Sequence, residues 1–173
     1  MSPDNEKRVA RAVELFHQGY NCSQSVVAAF ADHYGLSEEL ALRMASPFGA
    51  GIGRMRETCG AACGMFLLAG LESGNTTPDV AAKGATYDVV QALAARFREM
   101  NGSLNCGELL GLRKPAEQLP AEATQTTPEA RTEQYYKKRP CAKMVESAAQ
   151  IFAEYLESKA STEANHITEG NPK

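Results

Sequence analysis

The chain has 173 residues, 43% of them apolar and 23% charged, which fits one globular domain around a single core. A net charge of −3 and a pI near 5.7 argue against a nucleic-acid partner, because no basic face outweighs the acids. No apolar run approaches the roughly 20 residues of a membrane span, and the polar start MSPDNEKRVAR lacks the apolar core of a secretory signal. The expected location is therefore the cytoplasm, with no membrane insertion.

In chain order the elements read as helices. Val9, Ala12, Val13 and Phe16 share one face of the first, and Val26, Val27, Phe30 and Tyr34 follow on a second that stops at Gly35. Ser37 caps a third, with Glu38 and Glu39 in its first turn. The stretch PFGAGIGRMRE, residues 47–57, breaks the pattern as a glycine-rich loop. Residues 59–72, with Met65, Phe66, Leu67, Leu68 and Leu71, are apolar all round and predict a buried central helix. A long helix follows, with Thr77 as cap and Pro78 in its first position, ending at Asn101-Gly102. NCGELLG predicts a short helix, residues 113–130 an irregular excursion, and KKR at 137–139 a solvated patch. The last helix runs from Pro140 to about Lys159. The expectation is an all-α bundle of about six helices over residues 4–159, followed by a disordered polar tail over 160–173.

The five cysteines carry the chemical signal. A thiol-rich chain in a reducing compartment uses cysteines for catalysis or metal binding more often than for stapling, and an odd count forbids complete internal pairing. Cys22 follows Asn21, Cys59 follows Thr58, Cys106 follows Asn105 and Cys141 follows Pro140, so each falls in the first turn of a different helix. Gln24 and Glu108 complete capping-box patterns at the first and third of these. Helix starts favour anions, so these thiols are expected to have lowered pKa values, with Lys137, Lys138 and Arg139 depressing Cys141 further. Cys63 lies one turn inside the central helix. Gly60 and Gly64 leave a strip free of side chains, suited to a bound group or to a tightly packed neighbouring helix. Gly49, Gly51 and Gly53 are expected to form a flexible segment beside the cysteines, with Arg54 or Arg56 offering positive charge to an anionic ligand or a thiolate.

On these residues the chain resembles the C_GCAxxG_C_C family of redox-active proteins, through YNCSQSVVAAF, FGAGIGRMRETCGAACG, NCGELLG and RPCAKMV, over roughly Glu6 to Leu156. The resemblance assigns the family's four cysteines to Cys22, Cys59, Cys106 and Cys141, and its glycines to Gly60 and Gly64. Cys63 occupies a variable position of the motif. The resemblance implies a helical domain with a redox role, often encoded beside transporter genes, so a membrane transporter joins an unknown redox partner or small molecule among the expected partners. GAGIG is not a dinucleotide fingerprint, for its spacing is wrong and no βαβ unit surrounds it.

Two chemistries remain open for the four cysteines. They could exchange with a disulfide as a thiol–disulfide oxidoreductase, or hold zinc or an iron–sulfur cluster, with Cys63 as a further metal ligand. A third reading is a non-catalytic, transporter-associated binding module. In the redox reading Cys59 is the expected attacking thiol. His17, His33 and His166 lie away from the cysteines in sequence and are weak candidates for metal ligands.

Overall fold

The protein is described by a computed structural model covering residues 1–169. The described residues form eight α-helices and no strand. Helix α1 (Pro3–His17) starts at Ser2, whose hydroxyl accepts the Asn5 N–H at 3.3 Å. Helix α2 (Cys22–Ala29) passes through a 3-10 turn to Gly35, which takes the left-handed φ of 64° that a side chain would resist. Helix α3 (Glu38–Ala45) is capped by Ser37, as its sequence predicts.

Helix α4 (Gly60–Ser73) is the centre of the bundle and packs on α2, on α5 (Val80–Asn101) and on α8 (Cys141–Glu169), while α1 lies along α2 and α8. Met65 and Leu68 are fully buried, but Leu71 near its end is 40% exposed, so burial fades along the helix. The close approach of α2 rests on Gly64, where a Cβ would lie 3.0 Å from both the Ser23 carbonyl oxygen and Val26 Cβ. Gly64 is thus a helix-packing glycine. Phe16, Phe30, Phe97 and Phe152 fill the core, with Phe30 meeting Phe152 edge-to-face at 5.2 Å.

Three elements differ from the sequence pattern. Helix α5 is capped by Asp79, whose carboxylate accepts the Ala82 N–H at 2.7 Å, so Thr77 and Pro78 precede it. The short helix α6 (Cys106–Leu109) forms where NCGELLG predicts it, but α7 (Glu133–Lys138) is unexpected, and Thr132 caps it inside a polar stretch with little apolar periodicity. Helix α8 continues past Lys159 to Glu169, where a disordered tail is expected. Extending a formed helix adds one hydrogen bond per residue fixed, and the Ser161 and Thr162 hydroxyls bond back to the Glu157 and Ser158 carbonyls at 2.9 Å. Residues 170–173 of the expected tail lie outside the described residues. No helix among the described residues is long and apolar enough to cross a membrane.

Candidate functional site

Each of the four motif cysteines sits at a helix start, and local hydrogen bonds explain why. Asn21 and Gln24 form a complete capping box at Cys22: the Gln24 N–H donates to Asn21 Oδ1 at 3.0 Å, and the Asn21 N–H to Gln24 Oε1 at 3.1 Å. Asn105 caps α6 through the Glu108 N–H at 3.1 Å, placing Cys106 first in that helix. Cys141 opens α8. Cys59 differs from the sequence pattern because it is itself the cap residue of α4, and Thr58 is used elsewhere.

Thr58 pairs with Asn105 in an isolated antiparallel bridge. The Cys59 N–H donates to the Leu104 carbonyl at 2.7 Å and the Cys106 N–H to the Glu57 carbonyl at 2.6 Å. This contact, 47 residues apart in sequence, ties the starts of α4 and α6 together.

The loop before Cys59 is a wound segment. Ala50, Gly51, Ile52, Gly53 and Arg54 all have φ between 55° and 75°, and Arg56 follows at 62°. Left-handed backbone costs roughly 1–2 kcal/mol at each residue with a side chain. It is held by packing: a Cβ at Gly51 would lie 2.6 Å from Cys106 Cβ, and one at Gly49 would lie 2.4 Å from the Asn21 side chain. Gly51 therefore stands against Cys106 and Gly49 against Asn21, in a fitted turn where a flexible segment is expected, while a Cβ at Gly53 would meet only the Pro47 carbonyl at 3.9 Å.

Cys22, Cys59, Cys106 and Cys141 line one cavity of about 60 Å3. A Cβ on Gly60 would lie 2.6 Å from Cys22 Sγ and 2.7 Å from the Phe48 carbonyl oxygen, so this glycine lets α4 start against a sulfur. Cys63 does not line the cavity; its thiol faces the Thr58 carbonyl at 3.7 Å. Arg56 does, only 4% exposed, with Nε donating to the Ala123 carbonyl at 2.9 Å. Arg54 does not: it pairs with the Gln125 carbonyl and, at 3.6 Å, with Glu129.

Sequence reasoning missed Arg131, which also lines the cavity. Its guanidinium lies 4.6 Å from the Phe16 ring centre and 4.7 Å from that of Tyr135. Of the basic run, Lys137 pairs with Glu133 in solvent, whereas Arg139 turns inward to line the cavity.

The pKa values of Cys59, Cys106 and Cys141 run opposite to the helix-start expectation. Burial pushes Cys59 well above the ordinary value of 9.0, and Cys22 and Cys106 add to the shift. Burial, then Cys22, pushes Cys106 up to about 11 and Cys141 up to about 12. Arg56 pulls Cys106 the other way, and Arg139 and Arg131 do so for Cys141, without overcoming burial. Cys63 is likewise pushed up to about 12 by burial first. Cys59, 5% exposed, therefore has neither the lowered pKa nor the open access expected of it. Cys141 is the most exposed of the five.

Among the described residues no three histidine, cysteine or acidic side chains stand together in an arrangement that holds a metal ion. His17 packs on Phe16 and Tyr136, and His33 lies 4.0 Å from Glu72, both away from the thiols. The side chain of His166 lies outside the described residues.

The family described as "Putative redox-active protein (C_GCAxxG_C_C)" matches residues 20–155, a span holding all five cysteines. The chain belongs to this family. The chain is also similar to a protein of Archaeoglobus fulgidus described as "Uncharacterized protein". It is 33% identical over 112 residues, 60% of this chain and 74% of the relative. No solved structure matches.

Proposed function

We propose that the protein is a thiol–disulfide exchange protein in which Cys22, Cys59, Cys106 and Cys141 cycle between four thiols and two disulfides. The observation that carries this reading is their meeting: four cysteines from four helix starts, spread over 120 residues, line one small cavity. Cys141, the most exposed thiol, is the entry point, attacking an incoming disulfide to form a mixed disulfide. Cys22, which lines the same cavity, resolves it. Cys63 stays outside the cycle.

The raised pKa values give the reduced state its character. All the shifted thiols hold their protons at neutral pH, so reduced protein is stable and reacts slowly until a base or a high pH generates thiolate. Fully reduced protein treated with neutral 2-hydroxyethyl disulfide should lose four thiols and keep one, and release two small thiols for each bridge formed. Thiols that stay intact, together with tight stoichiometric uptake of zinc or iron into the reduced protein, would contradict the exchange reading and favour a metal centre.

A further inference from the structure

A second cavity, about 270 Å3, adjoins the thiol cavity and shares six residues with it: Asn21, Ala50, Arg56, Arg131, Tyr135 and Arg139. Its lining adds Arg54, so four guanidiniums face a single carboxylate, Glu129, in a chain whose net charge is −3. Glu129 already pairs with both Arg54 and Arg139. Among the described residues neither Arg56 nor Arg131 forms an ion pair, and Arg131 Nη1 is buried with no hydrogen-bond partner. Its Nη2 donates to the Tyr20 carbonyl at 3.2 Å, while Phe16 and Tyr135 fix the plane of the fork. A buried donor without an acceptor costs about 1–3 kcal/mol, and a planar guanidinium held in place is suited to a carboxylate. Burial, then the neighbouring Arg56 and Arg139, lowers the pKa of Arg54, with Glu129 acting against them.

We infer that the two cavities form the binding site of a small disulfide carrying carboxylates, which the arginines hold while the thiols reduce it. This rests on the exchange reading above. The volumes suit a small molecule rather than a folded protein partner. The Cys141 thiolate attacks one sulfur of the substrate; the S–S bond breaks and one substrate thiolate leaves and takes up a proton. The Cys22 thiolate then attacks Cys141 Sγ, breaking the mixed disulfide and releasing the second substrate thiolate. Two protein thiols become one disulfide, and one substrate disulfide becomes two thiols. Opposite charge in the cavity raises the encounter rate of the anionic substrate and its occupancy.

The test compares three probes on fully reduced protein: anionic dithiodiglycolate, neutral 2-hydroxyethyl disulfide and cationic cystamine, each rate divided by that of free 2-mercaptoethanol. At low salt the anionic probe should exceed the neutral one by about tenfold or more, with the cationic probe slowest. Raising the salt to about 0.5 M should compress the three rates, and Arg131→Gln or Arg54→Gln should lower the anionic-to-neutral ratio. If Arg131→Gln does not fold, Arg54→Gln and the salt series carry the same readout. Equal normalised rates for the three probes would overturn the anion site and leave the exchange reading standing. Failure of all three to oxidise the protein would overturn both.

Discussion

Helix α4 has two ends about 21 Å apart, and they are built in opposite ways. At its C-terminal end the polar side chains Glu72 and Ser73 are both partnered. Glu72 accepts from the Tyr34 hydroxyl at 2.9 Å and from Lys159 Nζ at 2.6 Å, and Ser73 shares a hydrogen bond of 2.9 Å with the Tyr155 hydroxyl. At its N-terminal end four thiols share a cavity, Arg131 Nη1 has no partner, and five consecutive residues are left-handed. Unmet donors and strained backbone persist only where the surroundings over-determine them, and such features gather at functional sites. The contrast assigns the two ends different work: one closes the bundle, the other is built to receive something.

The comparison can be tested at each end, with the shared core as the reference. Phe152→Ala empties the Phe30 contact and should cost about 3–5 kcal/mol by denaturant unfolding, the largest loss expected from one substitution here. The folded fraction should keep its four exchanging thiols. A rise in pH should act first at the thiol end, and above pH 10 also through Tyr34 at the other end, whose phenol is pushed up by burial and by Glu72. Unfolded thiols deprotonate near 9.0, whereas folded Cys106 holds its proton to about 11 and Cys63 and Cys141 to about 12. Between those values the unfolded chain binds fewer protons, so the stability of reduced protein should be level below pH 9 and fall as pH rises towards 12. Alkylation of the thiols should likewise keep accelerating past pH 9, where an ordinary thiol levels off. Protein already oxidised to two disulfides should lose the share carried by Cys59, Cys106 and Cys141, and an equal fall in both forms would break the assignment.

Smaller effects separate the ends further. Gly60→Ala sets a Cβ against Cys22 Sγ and the Phe48 carbonyl, and should cost about 1–3 kcal/mol while also changing the thiol exchange rate. Glu72→Gln should cost about 1 kcal/mol and leave exchange untouched. Burial works against the Glu72 carboxylate, but Lys159 and Tyr34 outweigh it and hold its pKa below the ordinary 4.5. Its contribution is therefore present above that value and lost as pH falls through the folded one, the acid counterpart of the thiol effect. The smallest effect is expected for Cys63→Ala: one thiol fewer by titration, and still two disulfides after oxidation.

Much of the thiol end is legible in the sequence because its signals are local. Asn21-Cys22 with Gln24, and Asn105-Cys106 with Glu108, are capping patterns that fold as written. The missing parts depend on contacts distant in sequence. Nothing near Thr58 announces its bridge to Asn105, and that bridge takes Thr58 from the capping role its residue type suggests. The left-handed turn includes Ile52, a β-branched residue that local preference keeps out of that conformation, so only the finished packing explains it. Arg131 and Arg139 lie in polar stretches that read as surface, and turn inward because Phe16, Tyr135 and the cavity meet them. The pKa direction was reversed for a similar reason: helix starts are visible in sequence, while the depth of burial that outweighs them is not.

The central claim is that four thiols share one site and the fifth stands apart. Disulfide mapping by peptide mass after complete oxidation of dilute protein with 2-hydroxyethyl disulfide, with alkylation of the remaining thiols, tests it most directly. The account predicts two intramolecular bridges drawn from Cys22, Cys59, Cys106 and Cys141, and alkylated Cys63. A bridge that includes Cys63, or bridges formed only between molecules, would contradict it.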